Sequence, residues 1–220
     1  MNYGHVLFDL DGTLTDPKLG ITGGVQYALA KFGIVEPDPD TLIPFIGPPL
    51  LNSFMDFYGM QEAAAWEAVG YYREYFGTRG MYENEPYAGI DTLLCLLKEQ
   101  GRELYVATSK PIVYAAEIVR HFGLEGYFTG IYGSELDGTR SDKGELIAYV
   151  MDKHALNAAD SVMIGDRKHD LIGAGKNGID AIAVGYGYGT EEELRAWNPV
   201  HYYRTLEDLR EGFARQGTPV

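Results

Sequence analysis

The chain has 220 residues, 45% apolar and 23% charged, the composition of a globular protein able to enclose a sizeable core, as one domain or as a domain with a smaller insert. A formal net charge of −14 argues against nucleic-acid polymers, whose backbones need clustered Lys and Arg, and an anionic substrate would need local positive charge that a divalent cation could supply. No stretch approaches the ~18 apolar residues of a membrane span and no basic-then-apolar leader opens the chain, so a cytoplasmic protein without membrane partners is expected.

Val6-Leu7-Phe8 reads as a short buried strand, broken by Gly12 after Asp9-Leu10-Asp11. Two carboxylates at the end of a buried strand are costly unless a cation sits beside them, and strand ends are where α/β sheets bind ligands. From Pro17 to about Tyr82 the pattern is helical. Helices are expected over 21–32, interrupted by Gly23-Gly24, over 50–58 after Pro48-Pro49, and over 62–76 with Ala63, Trp66, Val69, Tyr72 and Phe76 on one face.

Beyond Pro86, helix and strand alternate. Helices are expected over 90–98, 112–122, 143–154 and 171–176, and strands over 104–107, 129–132, 162–164 and 181–184. Short connections between alternating elements imply a parallel sheet covered on both faces. The fold expected is therefore α/β, a Rossmann-like parallel core of residues 1–15 plus 83–220, with an all-helical insertion, residues 16–82, after the first strand. Cys95, the single cysteine, falls in the apolar run from Leu93 to Leu97 and is assigned to the core.

Two later strand ends carry matching polar residues. Thr108-Ser109-Lys110 follows the 104–107 strand; Gly165-Asp166 follows the 162–164 strand, with Asp170 one helical turn further on. Lys143 opens a helix after Ser141-Asp142, and Asp142 and Glu145 have capping-box spacing. A cation in a first turn opposes the helix dipole, so Lys143 is poorly placed for stability and well placed to meet an anion. Taken singly, Thr108 could be a helix cap before Pro111, Lys143 a solvated lysine, and Asp166 with Asp170 a dipole-stabilising pair. Gly185-Tyr186-Gly187-Tyr188-Gly189 lacks the spacing of a dinucleotide fingerprint and reads as a flexible loop leading into a helix capped by Thr190 and Glu193.

Together Asp9-Leu10-Asp11-Gly12-Thr13, Thr108, Lys143 and Gly165-Asp166 with Asp170 resemble, over nearly the whole chain, the haloacid dehalogenase superfamily, specifically its phosphatases with a helical cap after the first strand. The resemblance implies that Asp9 is the nucleophile, forming an aspartyl-phosphate, and that Asp11 is the general acid and base. It implies Mg²⁺ held by Asp9, the Asp11 carbonyl and Asp166, with Asp170 supporting that shell, and Thr108 and Lys143 holding the phosphoryl oxygens. Thr13 would brace the loop, Ser109 and Lys110 would be bystanders, and Arg167, Lys168 and His169 exposed loop residues.

The substrate expected is a small phosphorylated metabolite, and the protein a monomer or homodimer. Aromatic residues are abundant in the insertion: Phe45, Phe54, Phe57, Tyr58, Trp66, Tyr71, Tyr72, Tyr75 and Phe76. Its 45–50 loop contains no Arg or Lys, which disfavours a small dianion such as phosphoglycolate and leans towards a nucleoside 5′-monophosphate. Alternatives are a phosphomutase of the β-phosphoglucomutase type and, more remotely, a non-catalytic phosphoacceptor.

Overall fold

Strand β1 (His5–Phe8) ends directly at Asp9 and lies in the middle of a six-stranded sheet. The structure is a computed structural model that describes residues 1–215; residues 216–220 of the expected core segment lie outside the described residues. After β1 the chain runs through β2 (Thr15–Asp16), α1 (Lys18–Lys31), α2 (Leu50–Tyr58), α3 (Glu62–Phe76) and β3 (Glu85–Pro86). It continues through α4 (Ile90–Glu99), β4 (Glu103–Pro111), α5 (Ile112–His121), β5 (Gly130–Ser134), α6 (Lys143–His154) and β6 (Ser161–Gly165). The final elements are α7 (Lys168–Lys176), β7 (Asp180–Val184), α8 (Glu191–Arg195), β8 (His201–Tyr203) and α9 (Leu206–Ala214).

The sheet order is β5-β4-β1-β6-β7-β8, and every neighbouring pair is parallel. The fold is thus α/β and Rossmann-like. Strand order runs outward from β1 in both directions, so the end of β1 lies at a topological switch point, where open α/β sheets bind ligands. Side chains alternate across the sheet. Leu7, Met163 and Ala107 join Leu146, Ile147 and Val150 of α6 and Ala174 of α7 in one apolar layer. Phe8 points to the other face, where it meets Phe128 edge-on at 6.4 Å.

The chain divides into two compact units, Asp16–Glu85 and the remainder. The smaller unit holds α1, α2 and α3 with a 3₁₀ segment over Pro39–Phe45. Its core includes Val25, Leu29, Phe54, Val69, Tyr72 and Phe76, all buried. Gly23-Gly24 do not interrupt α1: the glycines give Tyr75 and Tyr72 of α3 room to pack on the helix, and a Cβ at Gly24 would lie 2.8 Å from the Tyr72 ring. Two further expectations are corrected. The buried stripe of α3 is Ala65, Ala68, Val69, Tyr72 and Phe76, so Ala63 and Trp66 face outward. Cys95 is exposed, because Ile90, Leu93, Leu94 and Leu97 already fill the inner face of α4.

Candidate active site

Everything charged at this site converges on the ends of three adjacent strands. The register pairs Phe8 with Val106 on one side and with Ile164 on the other, so Asp9 emerges between β4 and β6. The Asp9 N–H donates to the Ile164 carbonyl at 2.9 Å. Gly12 turns the chain with φ of +80°, and a Cβ there would sit 2.2 Å from Asp166 Oδ2. Only glycine lets the loop after β1 approach the carboxylate at the end of β6 this closely.

Asp9, Asp11, Asp166 and Asp170 are all buried, as are Lys110 and Lys143. Lys143, in the first turn of α6, lies 2.9 Å from Asp9 Oδ1 and 2.8 Å from Asp170 Oδ1, and donates to the Ala107 carbonyl at 3.0 Å. One ammonium thus bridges two buried carboxylates. Burial alone would lower the Lys143 pKa, but the carboxylates of Asp170 and Asp9 outweigh it and hold the lysine charged. Thr108 is buried on β4, two residues past the Phe8–Val106 pair, and its hydroxyl accepts from the Lys110 N–H at 3.2 Å.

Lys110 is no bystander. Its ammonium lies 2.5 Å from Asp11 Oδ2, and both side chains are at most 9% exposed. Burial raises the Asp11 pKa, and Lys110 is the main group opposing that rise. Asp11 Oδ1 is buried with no hydrogen-bond partner among the described residues.

Asp166 accepts from the Thr13 hydroxyl at 3.2 Å on Oδ1 and from the Tyr188 N–H at 2.7 Å on Oδ2. Asp170 Oδ2 accepts from the Arg167 N–H at 3.1 Å at the start of α7. Arg167 itself is half-buried and paired with Glu193 at 3.1 Å, and His169 is half-buried, which corrects the expectation of exposed loop residues. Lys168 is exposed.

Asp9, Asp166 and Asp170 each offer an oxygen within 4.8 Å of the others. Four buried carboxylates face two buried lysines, an excess of two negative charges. Asp166 carries most of the strain. Burial, then the charges of Asp170 and Asp9, push its pKa well above the usual carboxylate range. An all-oxygen donor set with that charge deficit fits a hard divalent cation such as Mg²⁺.

In metal-free protein the raised Asp166 pKa means stability is fully present below the ordinary carboxylate value and is lost as pH rises through the folded-state value. Asp166→Asn is therefore expected to melt several degrees above wild type in chelator at pH 7–8, with the gap closing towards pH 4. Thermal melts across that pH range check this; a variant that melts below wild type at pH 8 contradicts it.

The chain matches the family model for haloacid dehalogenase-like hydrolases over residues 6–184. It is 57% identical over 211 residues to a Pseudomonas aeruginosa protein named 5′-nucleotidase, covering 96% of each chain. It is also 38% identical over 208 residues to the tyrosine-protein kinase PtkA of Mycobacterium tuberculosis, covering 94% of this chain and 71% of that protein. A crystal structure described as a predicted phosphatase from Clostridium acetobutylicum superposes with a TM-score of 0.95 at 46% identity, over 98% of this chain and all of the other. The chain belongs to the haloacid dehalogenase-like hydrolases. Within that family it is a phosphatase, a phosphoric monoester hydrolase. Among the described residues, no helix is long and apolar enough to cross a membrane.

Proposed function

We propose that this enzyme is a Mg²⁺-dependent phosphatase that releases phosphate from small monoesters through an aspartyl-phosphate on Asp9, with nucleoside 5′-monophosphates as the preferred substrates. The observation that carries the reading is the buried set of four carboxylates against two lysines, with Asp9 at the switch point of the sheet.

Asp9 attacks phosphorus, and the bond from phosphorus to the leaving oxygen breaks as Asp11 gives that oxygen a proton. Asp11 then removes a proton from water as the water attacks the phosphoenzyme, releasing phosphate and regenerating Asp9. Lys143, between Asp9 and Asp170, offers positive charge to the non-bridging oxygens, and Thr108 a hydroxyl. Asp9, Asp166 and the carbonyl of Asp11 would hold the cation, with Asp170 supporting them. The ion supplies charge neutralisation that lets an anionic nucleophile approach a phosphoryl group.

Two observations support a nucleoside leaving group. The nucleotidase relative is more than half identical along nearly the full chain. The helical unit itself carries a cluster in which Phe45 lies 5.1 Å from Phe54 and 5.4 Å from Phe57, and Phe57 is half exposed. Aromatic faces of that kind stack on nucleobases.

The test is a phosphate-release screen over nucleoside monophosphates, phosphoglycolate and sugar phosphates, with sugar-phosphate isomers measured alongside free phosphate. A nucleoside monophosphate is expected to have the highest kcat/KM, and chelation should silence release until Mg²⁺ is restored. Hydrolysis insensitive to chelator would overturn the metal reading. Phosphoglycolate turned over tenfold better than every nucleotide would overturn the substrate, and isomer formed without phosphate release would overturn hydrolysis.

A further inference from the structure

The loop Gly185–Gly189 follows β7 and has no part in the chemistry above, yet it is packed on the carboxylate of Asp166. The Tyr188 N–H donates to Asp166 Oδ2 at 2.7 Å. A Cβ at Gly187 would lie 2.3 Å from the Gly12 carbonyl oxygen and 2.4 Å from Asp166 Oδ2, and one at Gly189 would lie 2.0 Å from the Asp166 carbonyl oxygen. These glycines leave no gap for any other residue. The expected flexible loop is instead a fitted one.

Tyr186 completes the arrangement through Thr13. Its hydroxyl donates to the Thr13 carbonyl at 3.1 Å, and Thr13 in turn donates its own hydroxyl to Asp166 Oδ1. The Tyr186 ring meets Tyr87 edge-on at 5.0 Å, and the Tyr87 N–H donates to the Leu14 carbonyl. One loop thus fixes both oxygens of Asp166: Oδ2 directly through a main-chain N–H, and Oδ1 through Thr13. Each oxygen keeps a lone pair for a further partner.

We propose that the Gly185–Gly189 loop is the positioning element of the cation site, with Tyr186 and Gly187 holding Asp166 in the orientation that binds a divalent ion. The inference rests on the metal site proposed above. A carboxylate clamped on both oxygens presents its remaining lone pairs in one fixed direction, so the entropic cost of ordering it is met on folding and not on binding.

The test measures affinity directly, by calorimetric titration of Mg²⁺ and by electron paramagnetic resonance titration of Mn²⁺ into chelator-treated protein. Tyr186→Phe is expected to weaken binding of both ions by about tenfold or more, and Gly187→Ala by more still. Tyr105→Phe removes a phenol that bonds Glu103 elsewhere on the sheet, and should bind both ions like wild type. Should Gly187→Ala fail to fold, Tyr186→Phe decides alone, its fold checked by circular dichroism. Asp166→Asn in the same titration separates the two levels of inference. Wild-type affinity in Asp166→Asn would bring down the metal site itself. Loss of binding in Asp166→Asn with wild-type affinity in the loop variants would overturn the loop's role and leave the metal site standing.

Discussion

Asp9→Asn is expected to lower kcat by about four to six orders of magnitude while the protein keeps its fold. Asparagine has the same shape, so the packing at the end of β1 is preserved, but an amide nitrogen or oxygen cannot form the phosphoenzyme. The change also removes one of two like charges that burden Asp166, because Asp170 and Asp9 both raise that group's pKa. The melting temperature in chelator is therefore expected to stay level or rise. Lys143 retains Asp170 at 2.8 Å as its counter-charge and does not become an isolated buried cation. Two measurements check the role: steady-state release of phosphate from an aryl phosphate, and hydroxylamine trapping of an acyl phosphate. Wild-type turnover in the variant would remove Asp9 as nucleophile. Loss of turnover with an acyl phosphate still trapped would move the covalent step to another carboxylate.

Lys110→Met should be the most damaging single change for stability. It leaves Asp11 buried without its ion-pair partner, and breaking a buried pair from one side costs about 3–5 kcal/mol. In a chain of this size that corresponds to a fall of about 10 °C in melting temperature. The sign of its pH dependence follows from Asp11. Burial raises the Asp11 pKa and Lys110 opposes the rise, so removing Lys110 lifts it further. The deficit is then largest where Asp11 must be ionised and shrinks as pH falls and the carboxyl takes up a proton. The double variant Asp11→Asn with Lys110→Met removes both charges and should recover most of the lost stability, without recovering turnover. Thermal melts of wild type and the two variants at pH 5 and pH 8 test this. Equal losses in the single and double variants would show that Lys110 matters through its packing and not through its charge.

Most of the architecture was legible because period and punctuation agreed. The helices over Leu50–Tyr58 and Lys143–His154 begin where Pro49 and Asp142 suggest, and the helix over Glu62–Phe76 has the bounds its apolar residues imply. Strand β8 escaped because three residues of mixed polarity carry no period, and α1 was read as interrupted because glycines in a helix look like breakers when their packing partner is unseen. In α3, Val69, Tyr72 and Phe76 face inward as expected, but the first half of the stripe is Ala65 and Ala68 in place of Ala63 and Trp66, since alanine gives little hydrophobic contrast and Trp66 draws the face towards itself. Asp9, Asp11 and Asp166 stand out as carboxylates at strand ends, with Asp170 one helical turn beyond, where chemistry is the economical explanation. Lys110 does not, because a lysine after a strand is unremarkable until its partner 99 residues earlier is known. Tyr186 and Tyr188 are hidden for a similar reason: Tyr188 meets Asp166 through a main-chain N–H, and the Tyr186 hydroxyl has a main-chain carbonyl 173 residues earlier as its partner.

The central position of β1 has a consequence for synthesis on the ribosome. Asp9 is among the first residues made, but the partners of its loop come much later: Lys110 lies 99 residues after Asp11, and Asp166 153 residues after Thr13. The contiguous segment Asp16–Glu85 can close its own core first, while β1 waits unpaired at the sheet's future midline. A nascent chain therefore lacks the assembled cluster of carboxylates until β6 has emerged, and truncation anywhere before Gly165 leaves Asp9 without Asp166 and Asp170 beside it. Short, strongly apolar and only four residues long, β1 exposes little edge during that interval, which limits its capture by other chains.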